Sequence, residues 1–462
     1  PKFGPNNRWG TFPSASVGWK LHEESFFKNA NIDWVASLKP RFSWGILGND
    51  AALGAFMYSP SYSSLTLHSF DGVNVSSGYS NIKVINEDIK WESIYTTDVG
   101  LDFGLFNNRL TGSFDYYIRK TKDMIYSLPT PLSAGITQKN DGPQGMPVNI
   151  GRIDNKGWEL LLAWRDNIGD FRYGLSVNLS QNKNKVVDLG LPTAYIYDGG
   201  EYPFDASGSD RPFKTINNSP IGMLWGLKTD GLITSQAEID ALNAKARENG
   251  HEYYSSALTG VGDLKFVDLN GDGTITNDDR TFIGSPWPDI TYGFNIDLGY
   301  KGFDLSANFV GVAGREIMNY SKSFQESFVD DWTTTYDIFN SSFFLGNGLT
   351  DQPRVVAVDP TTGAIIKDPN RNYSYYSDYI VEDGSYLKLK SLTLGYTLPK
   401  KVSKKLFLNH LRFYVTGYNL LTFTKFSGLD PEFSGNKTAY SGYSIYQFPQ
   451  SKMISFGVDV NF

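Results

Sequence analysis

Residues 290–300 read ITYGFNIDLGY, and the reading of this stretch decides the fold. Ile290, Tyr292, Phe294, Ile296, Leu298 and Tyr300 alternate with Thr291, Gly293, Asn295, Asp297 and Gly299. A strict period of two places every apolar side chain on one face of a β-strand and every small or polar one on the other. The same alternation returns at Leu110–Arg119, Trp158–Arg165, Phe171–Ser180, Phe303–Phe309 and Ile454–Phe462. Weaker versions lie near Ala15–Leu21, Phe42–Ile46, Val99–Leu105 and Leu411–Val415. Leu387–Leu398 changes parity partway, which predicts a β-bulge.

Strands of a soluble β-sandwich alternate too, but they average about 5–6 residues and are joined mostly by short connections. Here the segments approach the ~9–11 residues that a tilted membrane strand requires. Their connections also come in two kinds. Short links fall near Asn107–Asn108, Asp166–Asp170 and Lys301–Gly302, with longer ones at His22–Ile32 and Pro399–His410. Between them run the excursions Leu47–Lys90, Ser127–Arg152, Leu189–Asp289, Arg315–Asp383 and Lys425–Ser451. Short turns at one end and long loops at the other predict an all-β chain, a transmembrane antiparallel β-barrel with long extracellular loops.

Composition agrees. Aromatic residues make up 15% of the 462 residues and Gly numbers 46, as suits strands with tight bends. A net charge of −7 supplies no basic stripe for a nucleic-acid partner. The absence of cysteine excludes thiol chemistry and thiolate-bound metal. No apolar run is long enough for a membrane-spanning helix, a test that says nothing of barrel strands.

The excursion 189–289 is too long to lack order of its own. Ser235 and Glu238 predict a capped helix over 235–249, closed by Gly250. Residues 268–279, DLNGDGTITNDD, then repeat the oxygen spacing of an EF-hand calcium loop. Asp268, Asn270 and Asp272 would offer side-chain oxygens, Thr274 its carbonyl and Asp279 a closing carboxylate, with Gly273 at the turn. A strand-like DLKFV precedes the loop where a sensor would carry a helix, so the expected role is a structural Ca²⁺ staple. An Asx-rich turn without metal is the alternative.

Aromatic clusters at Tyr373–Tyr379 and Tyr440–Phe448 could stack on sugar rings, with Tyr373, Tyr375, Tyr376, Tyr440 and Tyr443 as candidate ligand contacts. Packing between loops is the plainer reading. A secreted calcium-binding β-sandwich, glycosidase or adhesin, is a further alternative, and a glycosidase would need two facing carboxylates. Asp115, Glu159, Asp297 and Asp304 are available on strand faces, but in a barrel they line the interior. No catalytic motif accompanies them, and none of the four histidines has metal-ligand spacing.

Several longer motifs resemble a known family. NNRWGTFPSASVGWK (6–20), IGRIDNKGWELLL (150–162), GDLKFVDLNGDG (262–273), PWPDITYGF (286–294) and LGYTLP (394–399) are similar to the barrel half of SusC/RagA-type TonB-dependent transporters. Asn419–Leu420 and Asp430–Pro431 continue the likeness. Gly457, Val460 and Phe462 resemble the C-terminal assembly signal of outer-membrane barrels. The resemblance implies the C-terminal half of a barrel, about 11 of 22 strands around a plug. It implies import of oligosaccharides or peptides across a Bacteroidetes-type outer membrane, under a SusD-like lipoprotein lid hinged near Leu47–Lys90 and Ser127–Arg152. It also implies energy from TonB; the plug, the TonB-binding box and the remaining strands have no counterpart in these residues. A passive porin is the alternative function.

Overall fold

All eleven expected strands form, and they join one antiparallel sheet in chain order. They are β1 (Ser14–Gly18), β2 (Val35–Asn49), β3 (Glu92–Leu105), β4 (Leu110–Lys122), β5 (Arg152–Ile168) and β6 (Phe171–Asp188), followed by β7 (Ile290–Tyr300), β8 (Phe303–Ala313), β9 (Tyr386–Thr397), β10 (His410–Thr424) and β11 (Met453–Asn461). The structure is a computed structural model describing all residues except 61, 70–71, 82–83, 129–144, 192–194, 199–210, 328–334, 337, 339–351, 434–440 and 446–447. Most of the excursion 127–152 therefore lies outside the described residues. Two compact units are present: Pro1–Leu162 with Asn182–Tyr195 and Ile216–Pro220, and Ala163–Gln181 with Ile196–Thr215 and Ile221–Phe462.

In the second unit the apolar rows lie on the open face of the sheet. Register aligns Phe171, Tyr300, Phe303, Tyr396, Phe413 and Val458 across six successive strands. Five of the six are aromatic, and Phe303 and Tyr396 place their ring centroids 4.5 Å apart. This row sits beside the short turns, where an aromatic girdle meets a membrane interface. Further along, Leu175 pairs with Ile296 and remains 45% exposed. A soluble sheet would cover such a face; here it is the polar face that is self-satisfied.

The polar face is laced by hydrogen bonds. Asn295 donates to Ser176 (3.3 Å), and Asp297 accepts from Ser306 (2.8 Å). Arg412 on β10 reaches across β9 to Asp304 on β8 at 2.6 Å. The intervening residue is Gly395, where a Cβ would lie 2.6 Å from both partners. The first unit repeats the device. Arg41 on β2 meets Asp115 on β4 at 2.9 Å over Gly100, where a Cβ would come within 2.3 Å of Asp115. Glycine on the middle strand is a window for a three-strand ion pair.

The expected bulge is present. Register slips between Leu389 and Ser391, so Leu387 and Leu389 join the apolar face occupied by Leu392 and Leu394. An extra residue resets parity where the sequence changes it.

Leu175→Arg puts a charge on the apolar face well inside the girdle. It is expected to cost about 2–4 kcal/mol, the usual penalty near a bilayer midplane. Ser176→Arg, one residue along on the polar face, should cost less than about 1 kcal/mol on the same reasoning. Urea unfolding in liposomes reads both; equal losses would mean that the faces are assigned wrongly.

Candidate functional site

The three longest excursions of the second unit fold together. Phe213, Leu224 and Ile283 come from the first, Met318, Tyr320, Tyr376 and Ile380 from the second, and Tyr443 from the third. All eight form one buried apolar cluster. A second cluster joins Leu227, Tyr254, Leu264, Phe266 and Ile275, with Tyr375 and Tyr379 packed against it. Main-chain bonds stitch the same segments: Leu227 N–H donates to Tyr376 O (2.8 Å), and Asp378 N–H to Leu227 O (3.1 Å).

Several polar groups inside this assembly are paired across long sequence distances. Asp263 is completely buried and takes a two-pronged bond from Arg354, Nε at 3.1 Å and Nη2 at 2.5 Å. Asn372 and the Gly260 amide add donors at 2.9 and 2.7 Å. Burial pushes the Asp263 carboxyl up, with Arg354 and Asn372 offsetting part of that. Nearer the strands, Lys388 is 1% exposed and bonds Asp430 (2.9 Å) and Glu432 (2.8 Å). Arg315 donates to the carbonyls of Phe433 (3.0 Å) and Ser441 (3.1 Å). The base of the last excursion is thus pinned from both sides. A polar cavity of about 600 Å³ opens nearby, lined among others by Asn319, Lys322, Gln325, Glu382, Lys425 and Ser427.

The helix forms over Gln236–Glu248 with Ser235 as its cap, accepting from the Glu238 amide. Glu238 does not return the bond to Ser235; its carboxylate accepts from Thr234 N–H at 3.0 Å, so the expected box closes one residue early. Asp268 accepts from the Gly271 (2.7 Å) and Gly273 (2.9 Å) amides. Asp272 accepts from Thr274 N–H at 2.9 Å, and Asn270 from Asp272 N–H at 2.9 Å. Gly273, at φ +86°, lies so close to the helix that a Cβ would come within 2.9 Å of Ala246 Cα.

These donors have calcium chemistry: three carboxylates, an amide oxygen and the Thr274 carbonyl. Among the described residues, however, no three acidic or histidine side chains converge to hold a metal, and two contacts show why here. Asp279 is fully buried and turned onto the Leu269 (2.9 Å), Asn270 (3.3 Å) and Thr276 (2.7 Å) amides. Asp268 already carries a cation, the Lys245 ammonium, at 2.6 Å. Burial pushes the Asp268 carboxyl up, but Lys245 and the Gly273 and Gly271 amides outweigh it and hold the group below its usual range.

The aromatic candidates need correction. Tyr373, Tyr376 and Tyr443 are 1%, 3% and 7% exposed, buried in the loop cores and closed to any ligand. Tyr375 is half-buried, edge-on to Phe266 at 5.6 Å. Tyr440 lies outside the described residues. Val460 and Phe462 are exposed, whereas Gly457 faces the other way, under the Tyr414 ring. Lys245, Asp263, Arg354 and Lys388 escaped sequence reading because their partners lie 23 to 91 residues away.

An antiparallel sheet with its apolar rows exposed and its polar rows bonded to one another has the strand character of an outer-membrane β-barrel wall, and comparison says which kind. The family model described as TonB dependent receptor-like, beta-barrel matches residues 2–420, and the chain belongs to that family. It is 32% identical to TonB-dependent receptor P3 of Formosa agariphila, covering 100% of this chain and 42% of that protein. Against TonB-dependent receptor SusC of Bacteroides thetaiotaomicron it is 28% identical, over 100% of this chain and 41% of that one. The chain thus spans less than half the length of these relatives. Its fold matches the RagAB peptide importer in the closed-closed state with a TM-score of 0.74 at 22% identity, covering 100% of this chain and 44% of that one. Localisation in the outer membrane follows from the family, which is one of transporters and not of enzymes.

Removing one partner of the Asp263–Arg354 pair leaves a buried charge without its counter-ion, a loss of about 3–5 kcal/mol. Arg354→Met should therefore raise hydrogen exchange in 258–264 and 354–372 while β7–β10 stay protected. The double change Asp263→Leu with Arg354→Met should recover part of that loss. Exchange confined to neither segment would refute the clamp.

Proposed function

We propose that this chain forms the wall and outer loops of an active importer of bulky nutrients, oligosaccharides or peptides. In this reading the transporter works under a SusD-like surface lipoprotein and draws energy through TonB. The observation that carries it is the joint folding of three excursions into shared cores. Such a body offers a lid a firm seat. The nearby cavity supports the substrate class, since its amides, hydroxyls and charges can meet a polyhydroxylated or peptidic ligand. RagAB, similar in fold, is a peptide importer, and SusC is a relative; neither fixes the substrate here.

Further partners follow from the sheet. Among the described residues, β1 pairs only with β2 in the sheet, and β11 only with β10. In hydrocarbon each unpaired backbone group costs several kcal/mol, so further strands of the barrel are proposed to meet these edges. The polar face then surrounds a plug, through which TonB would act. Gly457, Val460 and Phe462 are proposed as the assembly signal.

Calcium at the 268–279 loop is proposed as a structural staple held by Asp268, Asn270, Asp272, Thr274 and Asp279. Its chemistry would be charge neutralisation and loop ordering, with no part in transport steps.

Affinity purification in mild detergent should bring down a surface lipoprotein, and deletion of TonB should reduce uptake to the level of passive leakage. Ion conductance with uptake indifferent to TonB would favour a passive porin instead. For the staple, Asp268→Asn with Asp272→Asn should abolish calcium binding by calorimetry and expose 268–279 to protease. Retained binding would remove these residues from the site.

A further inference from the structure

The turn between β9 and β10 combines charge with exposed apolar surface. Residues 398–409 carry Lys400, Lys401, Lys404 and Lys405 and no acidic residue, in a chain whose net charge is −7. We propose that this turn docks on anionic phospholipid headgroups, seating the wall of the second unit on the leaflet at its short-turn end.

The backbone carries the first argument. Lys400–Lys405 form a short helix that buries Ser403 and leaves all four lysines exposed. Among the described residues, none of the four ammonium groups is in an ion pair. Leu406 ends the helix, Phe407 N–H donates to Lys404 O (3.1 Å), and Leu408 N–H donates to Ser403 O (3.0 Å). That pair of bonds closes a helix through one left-handed residue, commonly glycine. Here the residue is Phe407, at φ +59°. A bulky side chain is disfavoured in that conformation. Packing does not offset the cost, because Phe407 is 92% exposed. Water does not offset it either, whereas an apolar phase does. Val402 and Leu406 stand exposed on the same turn.

Continuity with the sheet carries the second. Tyr396 and Phe413, paired across β9 and β10, belong to the aromatic row beside the short turns, and the helix follows them at the same end. Leu398 N–H donates to Leu411 O (2.9 Å) and Asn409 N–H to Asn461 O (2.8 Å), so both ends of the turn are tied to the sheet. At that level apolar side chains enter the interface, while lysine stems lie along it and place their ammonium groups among phosphates. A soluble polyanion would satisfy the lysines and leave Phe407 in water. The charge is particular to this turn, since Asp166–Asp170 of the same unit has a carboxylate at each end. The inference rests on the membrane-facing wall and not on what the transporter carries.

The test uses the complete transporter in nanodiscs of phosphatidylcholine, alone or mixed with phosphatidylglycerol. Each lysine near an anionic surface contributes a factor of about five, so hydrogen exchange across 399–408 should slow at least about tenfold in the mixed discs. Salt at about 1 M should remove most of that difference, and 166–170 should exchange alike in both lipids. Changing Lys400, Lys401, Lys404 and Lys405 together to Gln should abolish the difference. Phe407→Asn keeps a residue that tolerates the left-handed position. It should match the parent in lipid-free amphipol and exchange faster than the parent in discs. Inorganic phosphate added to phosphatidylcholine discs should leave exchange unchanged. Equal parent exchange in the two lipids, a difference that survives in the Gln variant, or protection by inorganic phosphate would each overturn the assignment. Phe407→Asn matching the parent in discs would take the ring out of the membrane and leave a purely ionic contact, against the proposal.

Discussion

Every backbone N–H and C=O within hydrocarbon must find a partner, and the rest of this structure answers to that requirement. Antiparallel pairing in chain order satisfies it between neighbours from β1 to β11, and among the described residues the outer edges of β1 and β11 stay unpaired. Side chains are then sorted in the reverse of a soluble sheet. Apolar rows such as Phe171–Tyr300–Phe303 lie open, and the polar rows bond to one another. The Arg–Gly–Asp bridges show how closely the two needs are coupled. Ion pairs reach across three strands only because Gly100 and Gly395 leave the middle strand bare.

Outside the strands the constraint is different. Water can satisfy loop backbone, so order in the excursions has to come from burial. It does, through clusters drawing on three separate segments. Buried charges such as Asp263–Arg354 and Lys388–Asp430 add little net stability, because desolvation offsets attraction. Their effect is selective: a loop docked one residue out of place would leave a buried charge unpaired.

Legibility followed the range of each interaction. The strand rows, the bulge at Leu389–Ser391 and the Ser235 cap were readable because each is set by residues a few positions apart. Even there, Glu238 capped Thr234 and not Ser235, a difference decided by side-chain reach. The tyrosines show where reading fails. YSYYSDY gives the same pattern whether its rings face a sugar or a core, and Tyr373 and Tyr376 face the core.

By itself, the sequence determined the alternation of faces, the division into short turns and long excursions, and the oxygen-rich spacing of 268–279. These are local, because β-strand geometry repeats every two residues and a turn closes within a few. Tertiary structure alone decided that Lys245 would occupy Asp268, that Arg354 would meet Asp263 and that the aromatic loops would close on themselves. Those pairings join residues from distant parts of the chain. Nothing short of the packed fold brings an ammonium within 2.6 Å of one particular carboxylate.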